Sequence, residues 1–423
     1  MTAVHSTEQL VFSVLLQLIV MIGAARLCHV AARRLGQPGV IGEIVAGLML
    51  GPSLLGRIAP HVSLAVFGDK PAAAVVILSQ IGLTLLMFQI GSEFEFAQLR
   101  DRVARRAAGT IAASSVIVPL VFGAVLGWMS HAALAPQIDR TLYSAFVGIA
   151  LAITALPILG RILVQFGLTN HRVGVIAITA AAINDVVGWL LLATVSALAA
   201  AQFSPAATAL QLGGLAALII AARFVLAPAV GHLMRLYPVR AGVIAPTLMA
   251  IILCGIFALA IATFSVGIFA IFGGFLGGLL VHRHPEFVAA WRSQVGGFVL
   301  VFFLPIFFTF TGLRIDIFAL SGQLDWLLLV LALAIVGKVL PVYLAARAAR
   351  LPSAEAWTLG ALMNTRALME LIVLNIGYDL GVLPQSMFAM LVIMAVTTTM
   401  MTGPLLQWLL PRMGHRIPRG IEG

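Results

Sequence analysis

Two ionisable residues stand in the middle of long apolar runs. One is Asp185, within Ala180-Ala-Ala-Ile-Asn184-Asp185-Val-Val-Gly188, and the other is Lys338. A charge at that depth in a membrane-spanning helix costs roughly 2.5 to 3.5 kcal/mol, so each needs a partner or a task. Lys70 and Lys338 are the only lysines, and arginine serves at every other basic position. Arginine keeps its charge under nearly all conditions, whereas a desolvated lysine can give up its proton. A lone buried carboxylate can hold a proton or a monovalent metal cation, but not both, and that competition suffices for exchange chemistry at Asp185. The alternative is an inert Asp185 and Lys338 ion pair that fixes helix packing. Asn184 offers either a neutral oxygen ligand for a hard cation or a cap for a neighbouring helix. Arg366 and Glu370 are spaced i, i+4, which places them on one helix face as a neutralising pair. Glu43, in Gly42-Glu-Ile-Val-Ala-Gly47, either lines an access funnel or anchors the start of a helix.

Two further motifs concern backbone. Pro157, in Thr154-Ala-Leu-Pro157, removes an amide donor and disfavours helical geometry at Leu156. Asn364-Thr365-Arg366 interrupts a second apolar run at a similar depth. Backbone freed at mid-membrane is tolerated only beside a protein-lined cavity. Pro157 alone is as consistent with a simple kink; its pairing with the second interruption favours a functional break.

The elements that must position these residues are membrane helices. The 423 residues are 61% hydrophobic and 9% charged, with a mean hydropathy of +1.10, outside the range of soluble domains. Runs of roughly 20 apolar residues recur throughout, the length an α-helix needs to cross a bilayer. A β-barrel would show short alternating segments instead. The formal charge of +10 reads as topology rather than nucleic-acid binding, because the arginines fall between apolar runs. Cys28 and Cys254 lie inside expected spans and read as buried, inert thiols. His282 and His284, near Glu286, read as a solvated loop without zinc-ligand geometry.

Thirteen spans are expected, near 9–34, 38–55, 72–92, 104–129, 142–165, 172–199, 208–230, 242–264, 266–281, 295–313, 325–347, 355–377 and 383–410. Basic residues gather at the ends of odd-numbered spans: Arg33 and Arg34, Arg100 to Arg106, Arg172, Arg235 and Arg240, Arg283 and Arg292, Arg347 and Arg350, Arg412 and Arg416. The opposite loops carry only Arg57, Lys70, Arg140 and Arg314, and acidic neighbours offset several of these. The positive-inside rule then sets the N-terminus outside and the C-terminus in the cytoplasm. A six, one, six division makes residues 9–199 and 242–410 an inverted repeat about a linker helix at 208–230, within one transmembrane domain over 1–423. No soluble regulatory domain is expected at either end, and the first helix reads as retained. The Gly273 to Gly278 stretch reads as close helix packing.

Several blocks in order resemble the second monovalent cation:proton antiporter family, above all Kef-type systems and the membrane part of plant cation/proton exchangers. They are Gly42-Glu-Ile-Val-Ala-Gly-Leu-Met-Leu-Gly-Pro52, Ala155-Leu-Pro-Ile-Leu-Gly-Arg-Ile-Leu163 and Ala181-Ala-Ile-Asn-Asp-Val186. Pro305-Ile-Phe-Phe-Thr-Phe-Thr-Gly-Leu313, Gly337-Lys338 and Asn364-Thr-Arg-Ala-Leu-Met-Glu-Leu-Ile-Val-Leu-Asn375 continue the series. The resemblance implies an all-α polytopic membrane protein of about 13 transmembrane helices, with an inverted repeat and the NhaA-like antiporter fold, its two discontinuous helices crossing at the site. It implies no enzyme activity and no cofactor, with Na+ or K+ and H+ as cargo, in a bacterial inner membrane. A homodimer is implied, in which a six-helix core slides against a dimerisation domain in an elevator motion. Asp185 matches the family's ion- and proton-carrying aspartate, Asn184 its preceding partner, and Lys338 the lysine facing them. Thr154, Pro157, Asn364 and Thr365 match the interrupted segments. An Asn-Asp pair is associated with one-for-one exchange, although many electroneutral relatives place arginine where this chain has Lys338. No cytoplasmic nucleotide-binding region is expected, which leaves control to an unlinked regulatory protein. A sodium-coupled organic-anion symporter, for which Arg366 is the obvious anion donor, and a non-coupling channel or sensor are the alternatives.

Overall fold

The computed structural model of the chain describes residues 2–68, 73–93, 102–169, 171–200, 213–214, 216–266, 269–366 and 368–415. Asp69, Lys70, Arg100 and Arg416, the start of the seventh expected span and the Pro157 side chain lie outside the described residues. Among those described there is no strand; the helices are α1 (Thr2–Arg34), α2 (Gly39–Leu50), α3 (Leu55–Ile58), α4 (Pro60–Phe67) and α5 (Ala73–Ser92). Next come α6 (Arg102–Leu134), α7 (Arg140–Ala152), α8 (Leu156–Gln165) and α9 (Arg172–Ala200). Then follow α10 (Ala216–Leu236), α11 (Pro246–Ser265), α12 (Ala270–Val281), α13 (Pro285–Gly296) and α14 (Val299–Gly312). The series ends with α15 (Leu324–Ala348), α16 (Ser353–Met363), α17 (Leu368–Asp379) and α18 (Gln385–Leu409).

By length and apolarity nine helices among the described residues can cross a bilayer, and up to eleven if the bent pairs α13 with α14 (43°) and α16 with α17 (40°) each count as one span. Thirteen were expected from hydropathy. The difference has a local cause. The fifth expected span is cut at Ile153–Ala155 into helices of 13 and 10 residues, and the ninth is a helix of 12 residues. The chain is a multi-pass membrane protein.

It divides into two compact units. The first comprises Met1–Leu27, Glu43–Glu95 and Ser196–Arg314. Met21, Leu50, Phe67, Val75 and Ile306 form a buried cluster in it. A Cβ at Gly274 or Gly278 would collide with the Thr84 and Phe88 carbonyl oxygens of α5. The two glycines, one turn apart, therefore let the α12 and α5 backbones touch, which gains dispersion contacts where lipid offers no hydrophobic drive. In the same unit Glu93 pairs with Arg292 at 2.9 Å.

The second unit comprises Cys28–Gly42, Phe96–Val195 and Ile315–Gly423, so it holds α6 to α8, most of α9, and α15 to α18. Asp139 caps α7, its Oδ1 accepting from the Leu142 amide at 2.9 Å, a bond worth about 1 kcal/mol. Besides α15 with Pro341, two of its helices carry interior prolines, Pro119 in α6 and Pro404 in α18. Each removes the donor for the carbonyl four residues earlier, Ser115 and Met400. Gln37 Nε2 donates to the Met400 oxygen at 3.3 Å, and Ser115 is taken up below. One expectation fails here: Cys254 is exposed on α11 and Cys28 only half-buried. A thiol is apolar enough to face hydrocarbon, so a position inside a span does not imply burial in protein.

Candidate functional site

The site is built on two helix interruptions in the second unit. Helix α7 stops at Ala152 because Ile153 (ψ 145°) and Ala155 (φ −97°, ψ 93°) are extended, and α8 restarts with Pro157 in its first turn, where a missing amide costs nothing. Helix α16 stops at Met363 and α17 begins at Leu368. The interruptions touch: the Ala155 amide donates to the Thr365 oxygen at 3.1 Å, and the Thr154 hydroxyl to the Met363 oxygen at 3.5 Å.

A helix end leaves four carbonyls without intrahelical donors, and all four at the end of α7 have partners. Ile149 accepts from the Ile153 amide at 3.3 Å. Ala150 accepts from Arg366 Nη1 at 3.0 Å and Leu151 from Arg366 Nη2 at 2.7 Å. Ala152 accepts from Lys338 Nζ, which also donates to the Ser115 oxygen at 2.7 Å. Both lysine acceptors are orphans of helix geometry, one left by the α7 break and the other by Pro119. Arg366 and Lys338 thus place two cations at the negative end of a helix dipole. Arg366 also reaches Glu370, Nη1 to Oε2 at 3.4 Å, with both side chains fully buried. Among the described residues its Nε has no partner.

Asn184 and Asp185 project from the middle of α9, both buried. The Asn184 amide is assigned with its oxygen accepting from Ser115 Oγ (2.7 Å) and Thr154 Oγ1 (3.3 Å), because only then does its NH2 donate to the Ala112 (3.2 Å) and Ala180 (3.3 Å) carbonyls. All of its hydrogen-bonding capacity is engaged, the single Thr154 proton being shared between its oxygen and the Met363 carbonyl, and it ties α6, the first interruption and α9 together. Asp185 is the opposite case: it is 4% exposed, and among the described residues neither carboxylate oxygen meets a donor in full hydrogen-bond geometry. The Leu156 amide at the start of α8 faces it as a weak backbone donor, and the Lys338 ammonium acts on it electrostatically, yet among the described residues no hydrogen bond joins it to Lys338. Buried polar groups are nearly always paired, so a buried carboxylate without a full hydrogen bond is an exception in this fold. Asn364, fully buried in the second interruption, likewise has neither side-chain amide atom paired among the described residues.

Of the residues the sequence singles out, Asp185, Asn184, Lys338, Arg366, Glu370, Thr154, Asn364 and Thr365, with the Pro157 backbone, fall in the second unit. Glu43 falls in the first, where it pairs with Arg26 at 3.8 Å. Sequence reasoning missed Ser115, whose hydroxyl serves Asn184 and whose carbonyl serves Lys338. It also missed Thr399, which accepts from the Arg366 amide at 3.1 Å, and Thr402, 3.3 Å from the Thr365 hydroxyl. Signals existed: Pro119 four residues beyond Ser115, and the polar run Thr397-Thr398-Thr399 inside an apolar helix.

Residues 18–412 match the family model described as "Sodium/hydrogen exchanger, transmembrane". The chain is 36% identical over 396 residues to Cation/H(+) antiporter 18 of Arabidopsis thaliana, covering 92% of this chain and 48% of that protein. It thus spans about half the length of that relative. It is 36% identical over 410 residues to the Na(+)/H(+) antiporter NhaS4 of Synechocystis, covering 95% of this chain and 98% of that one. The solved structure of the sodium proton antiporter MjNhaP1 from Methanocaldococcus jannaschii superposes with a TM-score of 0.67, at 16% identity, over 95% of this chain and 97% of that one.

Proposed function

Because the chain belongs to the transmembrane sodium/hydrogen exchanger family, we propose that it is a secondary antiporter exchanging a monovalent cation, Na+ or K+, for H+ at Asp185. The observation that carries this reading is the pair of unpaired carboxylate oxygens on a buried aspartate beside two broken helices. A bare carboxylate cannot stay buried without a counter-charge, so each passage across the membrane carries either the proton or the cation. One site with two exclusive occupants gives one-for-one exchange. Lowering the pH should weaken the apparent cation affinity, since protons compete for the same oxygens.

In this reading Lys338, Arg366 and Glu370 position the site. They hold the α7 terminus rigid while Asp185 changes occupant, and Asn184 fixes α9 against α6 and the first interruption. The engagement of the Arg366 guanidinium with two carbonyls and Glu370 speaks against the organic-anion symporter, for which it was the available donor. We also propose an elevator motion, in which the second unit carries Asp185 across the bilayer as one body. Its support is that α6 to α8, the Asp185 segment of α9 and α15 to α18 fall in one compact unit. One interruption in each half supports the inverted repeat, residues 9–199 and 242–410 about the 208–230 linker. The arginine distribution supports a cytoplasmic C-terminus in a bacterial inner membrane. A homodimer and an unlinked regulator complete the proposal.

The test is proton flux in proteoliposomes after a cation pulse. Wild type should respond to Na+ or K+, and Asp185→Asn should fold and fail to exchange. Undiminished exchange in that variant sinks the assignment.

A further inference from the structure

Beside Asp185 the second unit has a partly open cavity lined by Ile153, Asp185, Gly188, Trp189, Met369 and Val373. Its free space, about 10 Å³, is room for roughly one water molecule. Asp185 supplies two unpaired oxygens, and Ile153, Met369 and Val373 supply apolar walls. An ion entering from water must therefore shed most of its hydration shell and accept the carboxylate with about one retained water. Such a space discriminates by ionic size, because ligand number and cavity dimensions are both limited.

Gly188 stands three residues beyond Asp185, on the same face of α9. It contributes no side chain, and a Cβ there would lie 3.3 Å from Ile153 Cγ1. A methyl group would occupy the cavity and press on the residue between α7 and α8. Val373, buried on α17, bounds the same space. We propose that Gly188 and Val373 set the largest cation Asp185 accepts, the glycine by leaving room and the valine by limiting it. This inference rests on the reading of Asp185 as the carrier.

The experiment compares proton flux driven by Li+, Na+, K+ and Rb+ in proteoliposomes of wild type, Gly188→Ala, Val373→Ala and Asp185→Asn. Gly188→Ala should lower apparent affinity for K+ and Rb+ relative to Li+ and Na+ by about tenfold, the scale on which one carbon discriminates in a pocket. Val373→Ala should shift the ratio the other way. If Gly188→Ala does not fold, Val373→Ala decides alone. Unchanged ratios beside an inactive Asp185→Asn overturn the size filter only, whereas an active Asp185→Asn overturns the carrier reading and this inference with it.

Discussion

The two interrupted helices solve one problem by different chemistry. At the end of α7 the last four carbonyls are met by one backbone amide and two buried cations, Arg366 and Lys338. At the end of α16 the last four, Gly360 to Met363, are met by the Asn364 amide (3.2 Å), the Thr402 hydroxyl (3.5 Å), the Thr365 amide (3.1 Å) and the Thr154 hydroxyl (3.5 Å), all neutral. Either solution satisfies the backbone. The difference teaches that the cations capping α7 do more than complete hydrogen bonds: they fix positive charge near a buried aspartate that lacks a full hydrogen bond among the described residues, while the neutral break leaves the Asn364 side-chain amide without one. Hydroxyls hold a break together; cations also set the field around a buried carboxylate.

The contrast can be broken by mutation. Arg366→Ala should have the largest effect, about 3 to 5 kcal/mol of destabilisation, because it strands Glu370 as an uncompensated buried charge and orphans two carbonyls. Thermal unfolding in detergent reads it, and a melting temperature like wild type would refute the cationic cap. Lys338→Met should follow at roughly 2 to 3 kcal/mol, the penalty for leaving two buried acceptors unmet. The neutral break should prove cheaper: Thr402→Val should lose about 1 kcal/mol and leave exchange nearly intact, and an inactive but stable variant would erase the distinction between the breaks. The smallest effect is a coupling. Pro119→Ala restores an amide for the Ser115 carbonyl, so Lys338→Met should cost about 1 kcal/mol less in that background. Strict additivity in this double-mutant cycle would show that Pro119 and Lys338 act independently.

Much of this arrangement was legible in the chain. Asp185 and Lys338 announced themselves because a charge in an apolar run is expensive enough to be conspicuous, and Pro157 and Asn364 marked interruptions that appear at 153–155 and 364–366. The Arg366 and Glu370 spacing gave their contact directly. Lys338 was less legible. Its sequence suggests a partner for Asp185, yet its hydrogen bonds go to Ser115 and Ala152, 223 and 186 residues away. Asn184 shows the same limit, since ligand and clamp look alike until its four neighbours are seen.

Hydropathy, helix length, interior prolines and isolated charges depend only on neighbouring residues and the bilayer, so the amino-acid order alone determined a polytopic helical membrane protein with two broken spans and a mid-depth carboxylate at Asp185. Tertiary structure alone decided which orphaned carbonyl meets which cation, that Glu43 belongs with Arg26, and that Cys254 is exposed rather than buried. Lipid tails are as apolar as a protein core, so the pattern that fixes inside and outside in a soluble helix carries no such instruction here. Hydrogen-bond partners separated by some two hundred residues are chosen only when the helices pack.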